Sequence, residues 1–174
     1  VIFDEFHERS IDTDLGLALS LDVQDGLRED LKIIVMSATL DGERVAKLIG
    51  DAPVITSEGR SFNVNHHYLE KTTSTRIEND ITGIILKALM EQSGSILVFL
   101  PGAGEIERTK KLLESKNLGP DILICPLYGM MQFKDQDLAI SPAQKGKRKI
   151  VLSTSIAETS LTIEGIRIVI DGGL

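Results

Sequence analysis

An α/β fold built on largely parallel sheets is what the sequence predicts, and three observations predict it. Short apolar runs of strand length alternate along the 174 residues with longer stretches whose apolar positions recur at helical spacing. The runs are apolar almost throughout, as strands buried on both faces of a parallel sheet are. Several of them end in carboxylates or hydroxyls, as in VIFDE, IIVMSAT and IVLSTS. In an open α/β sheet the ligand crevice lies beyond the carboxyl ends of the strands, so these polar ends mark a functional edge.

The elements follow in order. VIFD (1–4) is a buried strand that runs straight into Asp4, Glu5 and His7. Residues 12–27 predict a helix with Asp12 as N-cap and Leu15, Ala18, Leu19, Val23 and Leu27 on one stripe. LKIIVMSA (31–38) is the next strand, and it delivers Ser37, Ala38 and Thr39 to the edge that holds Asp4. APVITSE (52–58) and VNHHYLE (64–70) read as further strands around a turn-rich segment.

The clearest helix is 76–92, where Ile77, Ile81, Ile84, Ile85, Ala88 and Leu89 share one face. SILVFLP (95–101) is a core strand that turns at Pro101-Gly102. A helix over 104–116 then points Ile106, Leu112 and Leu113 inward and ends before Gly119-Pro120. DILICPLY (121–128), KIVLSTS (149–155) and IRIVID (166–171) complete the strands.

Composition narrows the class. A hydrophobic fraction of 42% and mean hydropathy of +0.06 suffice for a packed core and exclude a disordered chain. The longest apolar stretches fall well short of the ~20 residues of a membrane helix, and no signal-like segment is present, so a soluble, cytoplasmic protein is expected. The single cysteine, Cys125, has neither a disulfide partner nor companion zinc ligands, and reads as a core thiol. His66 and His67 read as strand surface for the same reason.

Charge is unevenly spread. Residues 1–63 hold 6 Lys and Arg against 13 Asp and Glu, whereas 64–174 hold 13 of each. That shift predicts two units with a junction near 60–66, and it removes any case for nucleic-acid binding from global charge. The local cluster QKGKRK (144–149) lies at the amino end of a strand and reads as a solvated loop.

Three motifs carry chemistry. An acid at the end of a buried strand can hold Mg²⁺, and a neighbouring acid can orient or deprotonate an attacking water. The small hydroxylated SAT at the next strand end lets two loops approach closely. In IVLSTSIAETSLTIEGI the hydroxyls and backbone N–H groups of Ser153, Thr154 and Ser155 make a surface that can bind phosphate without net positive charge.

DEFH followed by ERSIDTD, then MSATLD, LVFLPGAGEIE, CPLYG and STSIAETSLTIEGI, occur here in one order. Together they closely resemble the DEAH-box helicases of superfamily 2, and within them the bacterial HrpB type, over almost the whole chain. The resemblance implies two RecA-like domains, both incomplete: 1–62 as the C-terminal part of the ATP-binding domain and 63–174 as the N-terminal part of the second. It implies ATP and Mg²⁺ as ligands and single-stranded nucleic acid, RNA by expectation, as partner. Asp4 would hold Mg²⁺ through water, Glu5 would be the general base, and His7 would link the site to its neighbours. Ser37, Ala38 and Thr39 would couple hydrolysis to domain movement. Thr154, Ser155 and Gly129 would face the nucleic acid, and Ser160, Thr162 and Glu164 the nucleotide or the interdomain face.

Two positions depart from the family pattern. Ser155 stands where the family usually has Asn, and Glu164 where it commonly has Asp. No G-x-x-x-x-G-K-S/T phosphate loop and no Q-x-x-G-R-x-G-R motif occurs, so the chain is expected to be an internal piece that is inactive by itself. A DNA-translocating ATPase of the same superfamily, and a degenerate module that binds RNA or protein, are the alternatives.

Overall fold

Parallel strands that neighbour one another need a crossover, and a helix supplies it at the start of the chain. The computed structural model describes residues 1–38, 42–57, 59, 62–69, 76–157 and 161–173. They fall into two compact units, Val1–Asn65 and His66–Leu174.

In the first unit β1 (Ile2–Phe3) and β2 (Ile34–Val35) pair in parallel, Ile2 opposite Ile34 and Phe3 opposite Val35. α1 (Ile11–Gly26) joins them. Its N-cap is Ser10 rather than Asp12, because the Ser10 hydroxyl accepts the Thr13 N–H at 3.1 Å; Asp12 and Asp14 lie instead in the first turn, where the helix dipole favours them. Gly16 lets α1 close on β1, since a Cβ there would meet the Phe3 ring at 3.2 Å.

The face that α1 buries is not the predicted stripe, of which Leu15, Ala18, Leu19 and Leu27 are exposed. Leu17 is the residue α1 buries, at 2% exposure, while Leu15 and Leu19 are 55% and 56% exposed. Spacing ranks the apolar positions alike, whereas the folded helix turns Gly16 toward Phe3 of β1 and buries Leu17. The runs 52–58 and 64–70 form no ladder among the described residues, and Ile55 and Tyr68 are exposed. Alternation makes a segment fit for a strand, but only a partner makes it one. A short α2 (Gly42–Leu48), absent from the prediction, follows β2.

The second unit is a four-stranded parallel sheet in the order β4-β5-β3-β6. Its strands are β3 (Ser95–Phe99), β4 (Ile122–Leu127), β5 (Arg148–Ser153) and β6 (Ile166–Asp171). Alternate residues of the central strands serve opposite cores. Ile96, Val98, Ile150 and Leu152 meet Ile81 and Ile85 of α3 (Ile77–Glu91) and Ile106 and Leu113 of α4 (Ala103–Glu114). Leu97 and Val151 face the other way, with Cys125, Leu127, Ala157, Ile163 and Ala139 of α5 (Phe133–Ile140). That two-sided burial is why these strands read as unbroken apolar runs, and each such side chain contributes about 2 kcal/mol. Cys125 is buried as expected, and burial pushes its thiol pKa up.

The basic cluster has a use that its composition hides. Successive strand residues point to opposite faces, and the first two of β5 are Arg148 and Lys149. Arg148 donates from Nε to the Gly94 carbonyl at 2.8 Å and from Nη1 to that of Leu89 at 2.9 Å, closing the end of α3. Lys149, 3% exposed, donates from Nζ to the carbonyls of Leu138 and Ser141 and, at 3.5 Å, to that of Ala139, closing the end of α5. Two of the four cations expected to be solvated are therefore helix caps. Cations are favoured there because helix C-termini carry unpaired carbonyls and partial negative charge.

Glu78 and Arg108 tie α3 to α4. Arg108 donates to the buried Glu78 carboxylate and to Glu105 of its own helix. The guanidinium holds the Glu78 carboxyl below its ordinary value of 4.5. A carboxylate whose pKa is lower folded than unfolded adds stability above the unfolded value, and loses it as pH falls through the folded one. Thermal unfolding followed from pH 7 downward should thus show an acid loss, beginning below about pH 5, that is smaller in Glu78→Gln. Equal acid slopes in the two proteins would remove Glu78 as the cause.

Candidate functional site

The carboxyl ends of β1 and β2 bring together two of the sequence motifs. After Phe3 the chain turns sharply: Glu5 adopts φ 51° and ψ 37°, and Arg9 φ 53° and ψ 52°, left-handed conformations that non-glycine residues rarely hold. The Glu5 N–H bonds Asp4 Oδ1 at 2.9 Å, and the Glu8 N–H bonds the Glu5 carbonyl at 3.0 Å, closing a 3-10 turn over Phe6–Glu8.

Phe6 anchors this turn. Its ring is 5% exposed, its N–H bonds the Met36 carbonyl at 2.9 Å, and the Arg9 guanidinium lies 5.7 Å from its ring centre. Met36 in turn donates its N–H to the Phe3 carbonyl at 2.8 Å. Strained backbone of this kind persists only where surrounding contacts hold it, and here a buried ring and two backbone bonds to the β2 side do so.

His7 bridges the motifs. Its Nδ1 accepts the Ala38 N–H at 3.3 Å and stands 3.4 Å from Glu5 Oε2. The Glu5 and His7 side chains are 43% and 25% exposed, so both remain open to solvent. Ser37 is described and exposed, whereas Thr39 lies outside the described residues. Asp4 is exposed too, with one carboxylate oxygen held by the Glu5 N–H. No group of three or more potential ligand side chains occurs among the described residues. Mg²⁺ keeps several waters and binds through one or two carboxylates plus substrate phosphates, and this sparse, open donor set fits it in that way only.

The second unit gathers its own edge. The Thr154 N–H bonds the Leu127 carbonyl at 3.3 Å, so the ends of β4 and β5 lie side by side. Ser153 is fully buried, its hydroxyl donating to the carbonyls of Leu127 and Thr154. Thr154 and Ser155 follow at the surface, and Ser155 opens a 3-10 turn to Ala157. Gly129 sits in the adjoining loop, where an added Cβ would lie 3.7 Å from Ile156, so its place requires no glycine for space. Gln136 organises that loop, donating Nε2 to the Met131 carbonyl at 3.1 Å and to that of Tyr128 at 3.5 Å. Sequence reasoning passed over Gln136 because a lone amide in a polar stretch has no signature.

Glu164 does not join that edge. Glu164 precedes Gly165, whose carbonyl accepts the Ser95 N–H at 3.1 Å where β3 begins, so Glu164 stands at the amino end of the sheet. Thr162 is exposed between the buried Ile163 and the partly buried Leu161, and Ser160 lies outside the described residues. β5 and β6 both run parallel to β3, so Thr154 follows the carboxyl end of one strand and Glu164 precedes the amino end of the other.

Comparison with known proteins bears on both units. The helicase conserved C-terminal domain family matches residues 79–174. The ATP-dependent RNA helicase HrpB of Escherichia coli is 54% identical over 171 residues, covering 98% of this chain and 21% of that protein. The probable ATP-dependent RNA helicase DHR2 of Saccharomyces cerevisiae is 40% identical, covering all of this chain and 25% of that protein. Among solved structures, that of the Escherichia coli DEAH/RHA helicase HrpB superposes with a TM-score of 0.89 over 98% of this chain and 22% of that one. The chain thus spans about a fifth to a quarter of the length of these relatives.

Proposed function

The chain belongs to the helicase conserved C-terminal domain family, and on that premise we propose that the protein carrying it is a cytoplasmic DEAH-box ATP-dependent RNA helicase. Its two parts, 1–62 and 63–174, belong to two RecA-like domains that hydrolysis of ATP drives along single-stranded RNA. The observation that carries this reading is the bond from the Ala38 N–H to His7 Nδ1, which joins the acid motif to the SAT motif at one strand edge.

Each residue has a definite task. Asp4, exposed at the end of β1, would hold Mg²⁺. Mg²⁺ bound with ATP neutralises charge on the phosphates. Glu5, open to solvent beside Asp4, takes the proton of the attacking water. Ser37, Ala38 and Thr39 transmit the outcome to the moving domain. In the second unit Thr154 and Ser155, with the Gly129 loop beside them, offer N–H and O–H donors to RNA phosphates, a mode that needs no net positive charge. Ser160 and Thr162 belong to the nucleotide or interdomain side, whereas Glu164, at the amino end of the sheet, does not share that edge.

The deciding experiment is ATP hydrolysis by the full-length protein, alone and with single-stranded RNA or DNA. Stimulation by RNA is the expected result. Stimulation by DNA alone would move the protein to the DNA-translocating ATPases, and the absence of hydrolysis would leave a binding module. Among the described residues no helix is long and apolar enough to cross a membrane.

A further inference from the structure

Beside its hydroxyl donors the second unit exposes apolar side chains that its own core does not use. Met130 is 96% exposed, Phe133 86% and Ile156 37%. From Tyr128 to Phe133 the chain carries no charge, and the charges that follow, Lys134 and Asp135, are opposite in sign.

This loop is held in shape. The Met131 N–H bonds the Tyr128 carbonyl at 3.2 Å, and Gln136 Nε2 donates to the carbonyls of both residues. Tyr128 packs against the core beneath, so the turn is anchored at its base while Met130 stands in solvent at its tip. The loop also abuts the turn that follows β5. Ile156 Cδ1 lies 3.7 Å from where a Gly129 Cβ would stand, and the Thr154 N–H meets the Leu127 carbonyl at 3.3 Å. Hydroxyl donors and apolar side chains therefore share one continuous surface.

We propose that Met130 and Phe133 form a platform for unstacked bases of single-stranded RNA, beside the edge where Thr154 holds a phosphate. The proposal rests on the reading of Thr154 as a phosphate contact. A single strand presents charged phosphates and flat apolar base faces in alternation. Hydroxyl and N–H donors suit the first, whereas an uncharged tip cannot neutralise a phosphate and suits the second. Stacking is tolerant of sequence because every base has a π-face, which fits a protein that must move along any strand. Continuity with the Thr154 edge selects this occupant, since a strand held there by its phosphates brings its bases within reach of the neighbouring loop.

The test measures binding of the full-length protein to two single strands of equal length, oligoadenosine and one whose sugars carry no bases. Phe133→Ala should bind oligoadenosine about tenfold more weakly, the loss expected for one stacked base, and bind the abasic strand as the unaltered protein does. Its salt dependence should not change, because no phosphate contact is removed. Met130→Ala should also lose affinity for oligoadenosine alone, and Phe133→Trp should retain it. Unaltered affinity of Phe133→Ala for oligoadenosine overturns the proposal, as does an equal loss on both strands. A lower thermal midpoint with unaltered RNA affinity would mean that another part of the protein covers the ring, and overturns it too.

Thr154→Val separates the two readings, since it removes the hydroxyl and keeps the shape. It should weaken both strands alike. If it weakens neither, the phosphate reading fails and the platform with it; if it weakens both while Phe133→Ala weakens neither, only the platform fails.

Discussion

Glu5→Gln is expected to lower kcat for ATP hydrolysis in the full-length protein by about 10²–10⁴-fold, the usual contribution of a positioned general base. The substitution keeps size and hydrogen-bonding reach, and leaves the turn undisturbed. The bonds that fix residue 5 are made by its backbone: its N–H to Asp4 and its carbonyl to the Glu8 N–H. What disappears is the capacity to take a proton. KM for ATP and affinity for single-stranded RNA should therefore stay near those of the unaltered protein, a split that separates lost chemistry from lost folding. Steady-state kinetics with and without RNA supply the check. Turnover within tenfold of the unaltered protein would show that another group serves as base.

Lys149→Met should destabilise the protein by about 2 kcal/mol, which corresponds to a urea midpoint lower by roughly 1 M. Two effects oppose each other. Removing a buried ammonium recovers its desolvation penalty, and the Met stem retains much of the apolar packing. Against this, the carbonyls of Leu138, Ala139 and Ser141 lose their donor at the end of α5, and each buried acceptor left bare costs about 1–3 kcal/mol. The second effect wins because more than one carbonyl is orphaned. Lys147→Met, two residues earlier and outside the strand, should change stability by less than about 0.5 kcal/mol. Equal effects at 147 and 149 would mean that the cap contributes nothing beyond general charge.

These residues show where sequence stops being informative. A run such as QKGKRK presents four cations of equal standing, and only the strand assignment of Arg148 and Lys149 decides that two of them face helix ends. α5 escaped prediction for a related reason. In FKDQDLAI the only buried residue is Ala139, so its face is too small to register as amphipathic. Residues 52–58 and 64–70 erred in the opposite direction, strand-like in pattern yet unpaired among the described residues.

The candidate site divides in the same way. Asp4, Glu5 and His7 stood out because two carboxylates and an imidazole at the end of an apolar run are hard to explain by packing. The ordered motifs DEFH, MSAT and STSIAETS pointed to the helicase family that the comparisons support. Nothing in the spacing could show the left-handed turn at Glu5 or the single nitrogen shared between Ala38 and Glu5.

By itself, then, the sequence determined the α/β class, the α3 face from Ile77 to Leu89, the core runs of β3 and β5, and which residue types stand at strand ends. Those features depend on local periodicity and on burial, and both are written in the order of side chains. The tertiary structure alone decided that Glu164 lies at the opposite sheet edge from Thr154, that Gln136 ties the 128–131 loop, and that Arg148 and Lys149 serve as caps. Each of these is a contact whose partner is distant in sequence or set by the direction in which a strand runs. Such a contact exists only once parallel strands have fixed which ends meet.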